Sequence, residues 1–84
     1  MAQQPKFTKD KIGKVLNFQT EKQKFEIIRS DGIYYEEKGY SYECICIESP
    51  SKSMVGEEYH FDARAWKDYN NNNIKLEKKK IAFS

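Results

Sequence analysis

Apolar residues in this chain recur mainly at alternate positions, and that spacing predicts strands. The densest example is Ile33 to Ile47, IYYEEKGYSYECICI, with four tyrosines and three isoleucines around a polar Glu36-Glu37-Lys38-Gly39 step. β-Branched and aromatic side chains suit a pleated, half-buried surface, and the polar step supplies a reversal. A hairpin is therefore expected near the middle of the chain. Within Tyr40 to Glu48, Tyr40, Tyr42, Cys44 and Cys46 share one face, and Ser41, Glu43, Ile45 and Ile47 share the other. Apolar groups on both faces predict a central strand.

The flanking segments follow the same rule. Lys11 to Phe18 reads as a first strand, with Ile12, Leu16 and Phe18 in one parity and Gly13 suited to a bulge. Phe25 to Arg29 reads as a second strand with Phe25 and Ile27 on one side. Ser30-Asp31-Gly32 is a strong turn signal. Tyr40–Glu48 then pairs either with Ile33–Tyr35 across the Glu36–Gly39 turn or directly with the second strand. Ser49 to Ser53 is a loop, and Met54 to Phe61 resumes the alternation. Asp62 to Tyr69 favours a helical turn capped by Asp62, with Trp66 and Tyr69 on one side. Asn70 to Asn73 forms a turn, and Ile74-Lys75-Leu76 a short closing strand. Near the start, Thr8 can cap a turn reaching Ile12, and Phe7 can fold back as an anchor.

Strand, strand, long strand, strand, helical turn and last strand is an order that resembles the SH3-like small barrels, including KOW and Tudor types. The resemblance rests on Ile12-Gly13-Lys14-Val15 in the first strand and on the helical turn at 62–69 before the last. It implies a mainly β, five-stranded antiparallel barrel over about residues 10–77. An α+β domain, with residues 62–73 as a longer helix on an antiparallel sheet, is the alternative. Proline-peptide binding is not carried over, because the SH3 groove uses a mid-domain tryptophan pair and this chain has Trp66 alone. The 84 residues allow one domain, read as a flexible arm at 1–10, a β-rich body at 11–77 and a basic tail at 78–84.

Composition narrows the chemistry. Hydrophobic residues make up 38% of the chain and aromatics 14%, so the core must rely on large rings. The formal net charge of +2 hides segregation. In residues 1–24 six lysines face two carboxylates, net +4; in 25–48 two cations face six carboxylates, net −4; the remainder carries +2. MAQQPKFTKDK lacks the apolar stretch of a secretory leader, and no run approaches the ~18 apolar residues of a membrane span. Cys44 and Cys46, the two cysteines, read as reduced core residues. The expectation is a cytoplasmic protein (host cytoplasm if phage-encoded) with no membrane partner. In size and composition the chain is also similar to small accessory proteins of phages and mobile elements.

No constellation demands catalysis. Cys44, Cys46 and His60, with Asp62, offer four zinc-ligand types, but C-x-C within a strand is poor spacing for one ion. Glu36-Glu37 and Glu57-Glu58 are adjacent in sequence and point apart, and the glycines are scattered singly. No enzyme, metal or cofactor is expected. Exposed aromatics are the usable signal, since Tyr and Trp dominate interface hot spots. The expected protein-binding set is Tyr34, Tyr35, Tyr40, Tyr42, Trp66 and Tyr69, docking a monomer or homodimer on a larger host or cognate protein. The alternative is DNA or RNA bound by Lys11, Lys14, Lys22, Lys24, Arg64, Lys67 and Lys75 beside exposed rings.

Overall fold

The computed structural model describes residues 6–66 and 74–78, apart from the side chains of Ala65 and Trp66. The protein is mainly β. Five antiparallel strands form one sheet: β1 (Val15–Phe18), β2 (Gln23–Tyr35), β3 (Gly39–Glu48), β4 (Glu58–Phe61) and β5 (Ile74–Glu77), in the order β4-β3-β2-β1-β5. The first four make a meander, and β5 returns to the free edge of β1. A four-residue helical turn, α1 (Ala63–Trp66), lies between β4 and β5. Short 3-10 turns span Lys9–Lys11 and Lys52–Met54. The expected helix at 62–69 is thus described only to Trp66; residues 67–73, which the longer-helix alternative needed, lie outside the described residues.

The alternation read from the sequence sets the inner face. Leu16, Phe18, Phe25, Ile27, Tyr42, Cys44, Cys46 and Ile74 are buried together with Phe7. Rings dominate the contacts: Phe25 meets Phe18, Tyr59 and Phe61 with centroids 5.3 to 5.6 Å apart, and Tyr42 stacks near Phe61 at 5.7 Å. Edge-to-face and offset geometries of this kind add to the area that the rings remove from water. Val15 is buried on the opposite face, between Glu26 and Glu77 of its neighbours.

Three expectations are corrected. Ser30-Asp31-Gly32 does not reverse the chain; it lies inside β2, which runs on to Tyr35 before turning at 36–38. Ser30 pairs with Tyr42 and Tyr34 with Tyr40, so β2 carries two more residues than β3 across this interval. Asp-Gly here makes a bulge, with Gly32 at φ 71°. Both pairings proposed for Tyr40–Glu48 consequently occur, on one long strand. The flexible arm read at 1–10 is corrected in part: residues 1–5 lie outside the described residues, whereas Phe7 is fully buried, as the anchor expected of it, and Ser30 Oγ donates to its carbonyl at 2.7 Å. Ile12, grouped by parity with Leu16 and Phe18, is 43% exposed. It ends the 3-10 turn, where strand parity no longer applies.

Candidate functional site: the β2–β3 hairpin

β1 pairs with β2 only as far as Glu26, extended one step by Ile27 N–H donating to the Lys14 carbonyl at 2.9 Å. β4 pairs with β3 only from Tyr42 to Ile45. Residues 30–41 therefore form a two-stranded ribbon with no further strand beside it among the described residues. Such ribbons are marginal in isolation, so the contacts that pin this one matter.

Three sets of bonds hold it. The bulge amides are satisfied locally: Gly32 N–H donates to Ser30 Oγ at 3.2 Å and Ile33 N–H to Asp31 Oδ1 at 3.0 Å. The Tyr35 hydroxyl donates to Asp31 Oδ2 at 2.9 Å, and Lys38 Nζ lies 5.7 Å from the Tyr35 ring centroid. At the tip, the Lys38 carbonyl accepts the Ala63 N–H at 2.8 Å, tying the turn to the start of α1. That start is itself organised by Asp62, which is buried and accepts the Arg64 backbone N–H at 2.9 Å as an N-cap. The same carboxylate receives Arg64 Nη2 at 2.8 Å.

The tyrosines named from the sequence fall into different environments. Tyr42, Tyr40 and Tyr34 follow one another along the inner face, and exposure rises away from the core. Tyr42 is 1% exposed, Tyr40 half-buried and Tyr34 64% exposed. Tyr42 is thus a core residue and leaves the displayed set: it lies under Phe7 and beside Phe61. Tyr34 leans edge-on against Tyr40, centroids 5.2 Å apart. Tyr35 and Ile33 point to the opposite face, as consecutive strand residues must, and both are exposed. The side chains of Trp66 and Tyr69 lie outside the described residues.

The basic residues do not gather. Lys11 sits 3.7 Å from Asp10, and Arg64 is engaged by Asp62. Lys22 occupies the β1–β2 turn at φ 57°. Lys14 lies at the other end of β1, beside Ile27, and Lys67 is outside the described residues. Lys24 and Lys75 flank Asn17 in one cross-strand row, yet the next row on that face is Glu26–Val15–Glu77. Alternating rows of opposite sign make a poor track for a phosphate backbone.

The cysteines and His60 are separated by the sheet. Cys44 pairs with Tyr59 on the inner face, whereas His60 pairs with Glu43 on the outer face. Burial pushes the Cys44 thiol up to about 12 and raises Cys46 as well, which suits core residues and not nucleophiles or ligands. Asp62 faces Arg64. Among the described residues no three His, Cys, Asp or Glu side chains converge as a metal site. No described helix is long and apolar enough to cross a membrane.

One feature escaped the sequence reading. On the outer face, Ile12, Arg29, Asp31, Ser41, Glu43 and His60 line a groove of about 460 Å3. Arg29 bridges two strands there: Nε donates to Glu43 Oε2 at 3.0 Å, and Nη2 reaches Glu58 on β4. The two carboxylates raise the arginine above its ordinary value. Asp31 is held below the usual carboxylate value, first by the Ile33 amide and then by the Tyr35 hydroxyl. A register shift between Ile27 and Arg29 sets Arg29 opposite Glu43, which pairs in turn with His60, so nothing in the sequence spacing announced them. Comparison with protein-family models, with curated proteins and with solved structures returns no match to this chain.

Proposed function

We propose that this protein is a non-catalytic binding module or small inhibitor that docks on a larger protein through the β2–β3 hairpin. The observation carrying this reading is that Ile33, Tyr34 and Tyr35 are 52%, 64% and 40% exposed on a ribbon pinned at its bulge and its tip. Large rings already held in place lose little freedom on binding, which favours affinity. Tyr34 lies on one side of the ribbon and Ile33 with Tyr35 on the other. A hairpin apolar on both faces suits insertion into a cleft better than contact with a flat surface. The Gly32 and Ile33 amides are occupied by Ser30 and Asp31, so the bulge offers no free amide to an added strand, and this reading places recognition on the exposed side chains.

The scaffold reading accompanies this one. The return of β5 to β1 and the helical turn between β4 and β5 support a small SH3-like barrel rolled from the sheet. Buried thiols support a reducing, cytoplasmic setting.

The test is affinity capture from source cells, followed by measured affinity for the purified partner. Tyr34→Ser and Ile33→Ser, verified as folded, should each weaken the complex by roughly 30-fold if each ring or chain contributes a hot spot of about 2 kcal/mol. Lys75→Ala should leave it unchanged. Nuclease-sensitive capture that depends on Lys22, Lys24 and Lys75 would instead establish the nucleic-acid alternative and defeat this one.

A further inference from the structure

The outer-face groove shares a wall with the bulge that holds the hairpin. Asp31 lines the groove with one side and accepts the Tyr35 hydroxyl and Ile33 amide with its carboxylate. Whatever meets Tyr35 therefore comes within reach of the groove. Among the described residues its lining sets Asp31 and Glu43 against Arg29, an excess of one negative charge, with Glu58 paired to that arginine and Lys38 acting on Asp31 from outside the groove. Asp31 stays ionised well into acid for the reasons given above. Beside these carboxylates Ile12 is 43% exposed, and Ser41 lines the same groove.

An apolar wall leading to carboxylates matches a side chain with an aliphatic stem and a cationic head. Asp31 and Glu43 each retain lone pairs beyond the bonds described, and Ser41 adds a further acceptor. A phosphate or a carboxylate ligand is repelled by the same set. We propose that the groove receives a lysine or arginine side chain of the protein that docks on the hairpin, so that the partner presents a basic residue next to the surface that contacts Tyr35. This inference rests on the hairpin reading and narrows its partner to a protein whose contact surface is locally basic.

The experiment needs no partner. The intact 15N-labelled protein is titrated with N-acetyl-arginine amide and N-acetyl-lysine amide, and with N-acetyl-norleucine amide as the uncharged stem. Amide shifts confined to Asp31, Ser41, Glu43 and His60 are expected for the two cations, weakening as sodium chloride is added. Asp31→Asn keeps an acceptor for the Ile33 amide and removes the charge, and it should weaken binding by roughly threefold, the scale of one exposed charge pair. If Asp31→Asn loses its native spectrum, the salt series on the unaltered protein decides. Equal shifts from norleucine amide, shifts scattered over the surface, insensitivity to salt, or no shifts at all would each overturn the proposal. Those failures leave hairpin docking intact, whereas a groove that titrates while Tyr34→Ser still captures the partner sinks the hairpin reading and leaves only the groove's preference for a cationic side chain.

Discussion

Phe7 and Tyr42 stack with ring centroids 3.8 Å apart and planes 20° from parallel, joining the start of the chain to the middle of β3. Ser30 reinforces the joint by donating to the Phe7 carbonyl at 2.7 Å. The N-terminal segment is thereby a lid on the end of the core from which the hairpin projects.

Phe7→Ala should accordingly destabilise the whole domain, by about 3–5 kcal/mol if the site behaves like other buried aromatics. That is a large share of the ~5–15 kcal/mol available to a small domain. Urea unfolding followed by tyrosine fluorescence measures it. Stability equal to the unaltered protein would mean that the segment is not docked in solution.

Tyr34 and Tyr42 lie on one face and should respond in opposite ways. Tyr34→Ala removes a ring that is 64% exposed and should change stability by no more than about 0.5 kcal/mol. Tyr42→Ala opens a cavity between Phe7 and Phe61 and should cost about 3–5 kcal/mol. Thermal melts of the two variants side by side separate display from packing.

Gly32→Ala tests the bulge. Gly32 has φ 71°, and an added Cβ would sit 3.6 Å from Thr8 Cα, an ordinary contact. The penalty is therefore conformational, about 1–2 kcal/mol for a left-handed residue with a side chain. Faster hydrogen exchange confined to residues 31–35 and their partners is the expected signature, and unchanged exchange would mean the bulge is absent in solution.

Acid should loosen the hairpin before it unfolds the core. Asp31 titrates below the ordinary 3.8 because its ionised form accepts the Ile33 and Tyr35 hydrogen bonds. A carboxylate depressed in the folded state contributes stability that is fully present above its unfolded value and disappears as pH falls through the folded one. The Ile33 amide shift should follow that single titration, with a midpoint below 3.8. A midpoint above it would contradict the geometry.

Both thiols should be inert in the native protein. With Cys44 raised to about 12 and both side chains buried, iodoacetamide at about pH 8 should modify neither, although it modifies both in concentrated guanidinium. Intact-mass spectrometry reads the result directly.

Much of the sheet was legible from alternation. Tyr42, Cys44 and Cys46 share a buried face, as do Phe25 and Ile27, because successive strand side chains point to opposite sides whatever the neighbours are. The Glu36–Gly39 reversal was legible from its polar residues. Asp31-Gly32 was misread for a definite reason: the left-handed glycine that closes a tight turn also makes a bulge. Local preference does not distinguish them; the pairing of β2 with β3 on both sides of the pair does.

The sequence by itself determined that this chain forms a small antiparallel sheet, which residues point inward along it, and that rings must fill its core. Those properties depend on near neighbours and on the supply of apolar area. Only the tertiary structure decided which tyrosines remain in water, that β5 joins β1, and that Arg29, Asp31, Glu43 and His60 surround one groove. Each of these depends on where one strand stops beside another and on what covers its end. Side-chain period carries no information about strand length or about a distant residue such as Phe7 folding over the face.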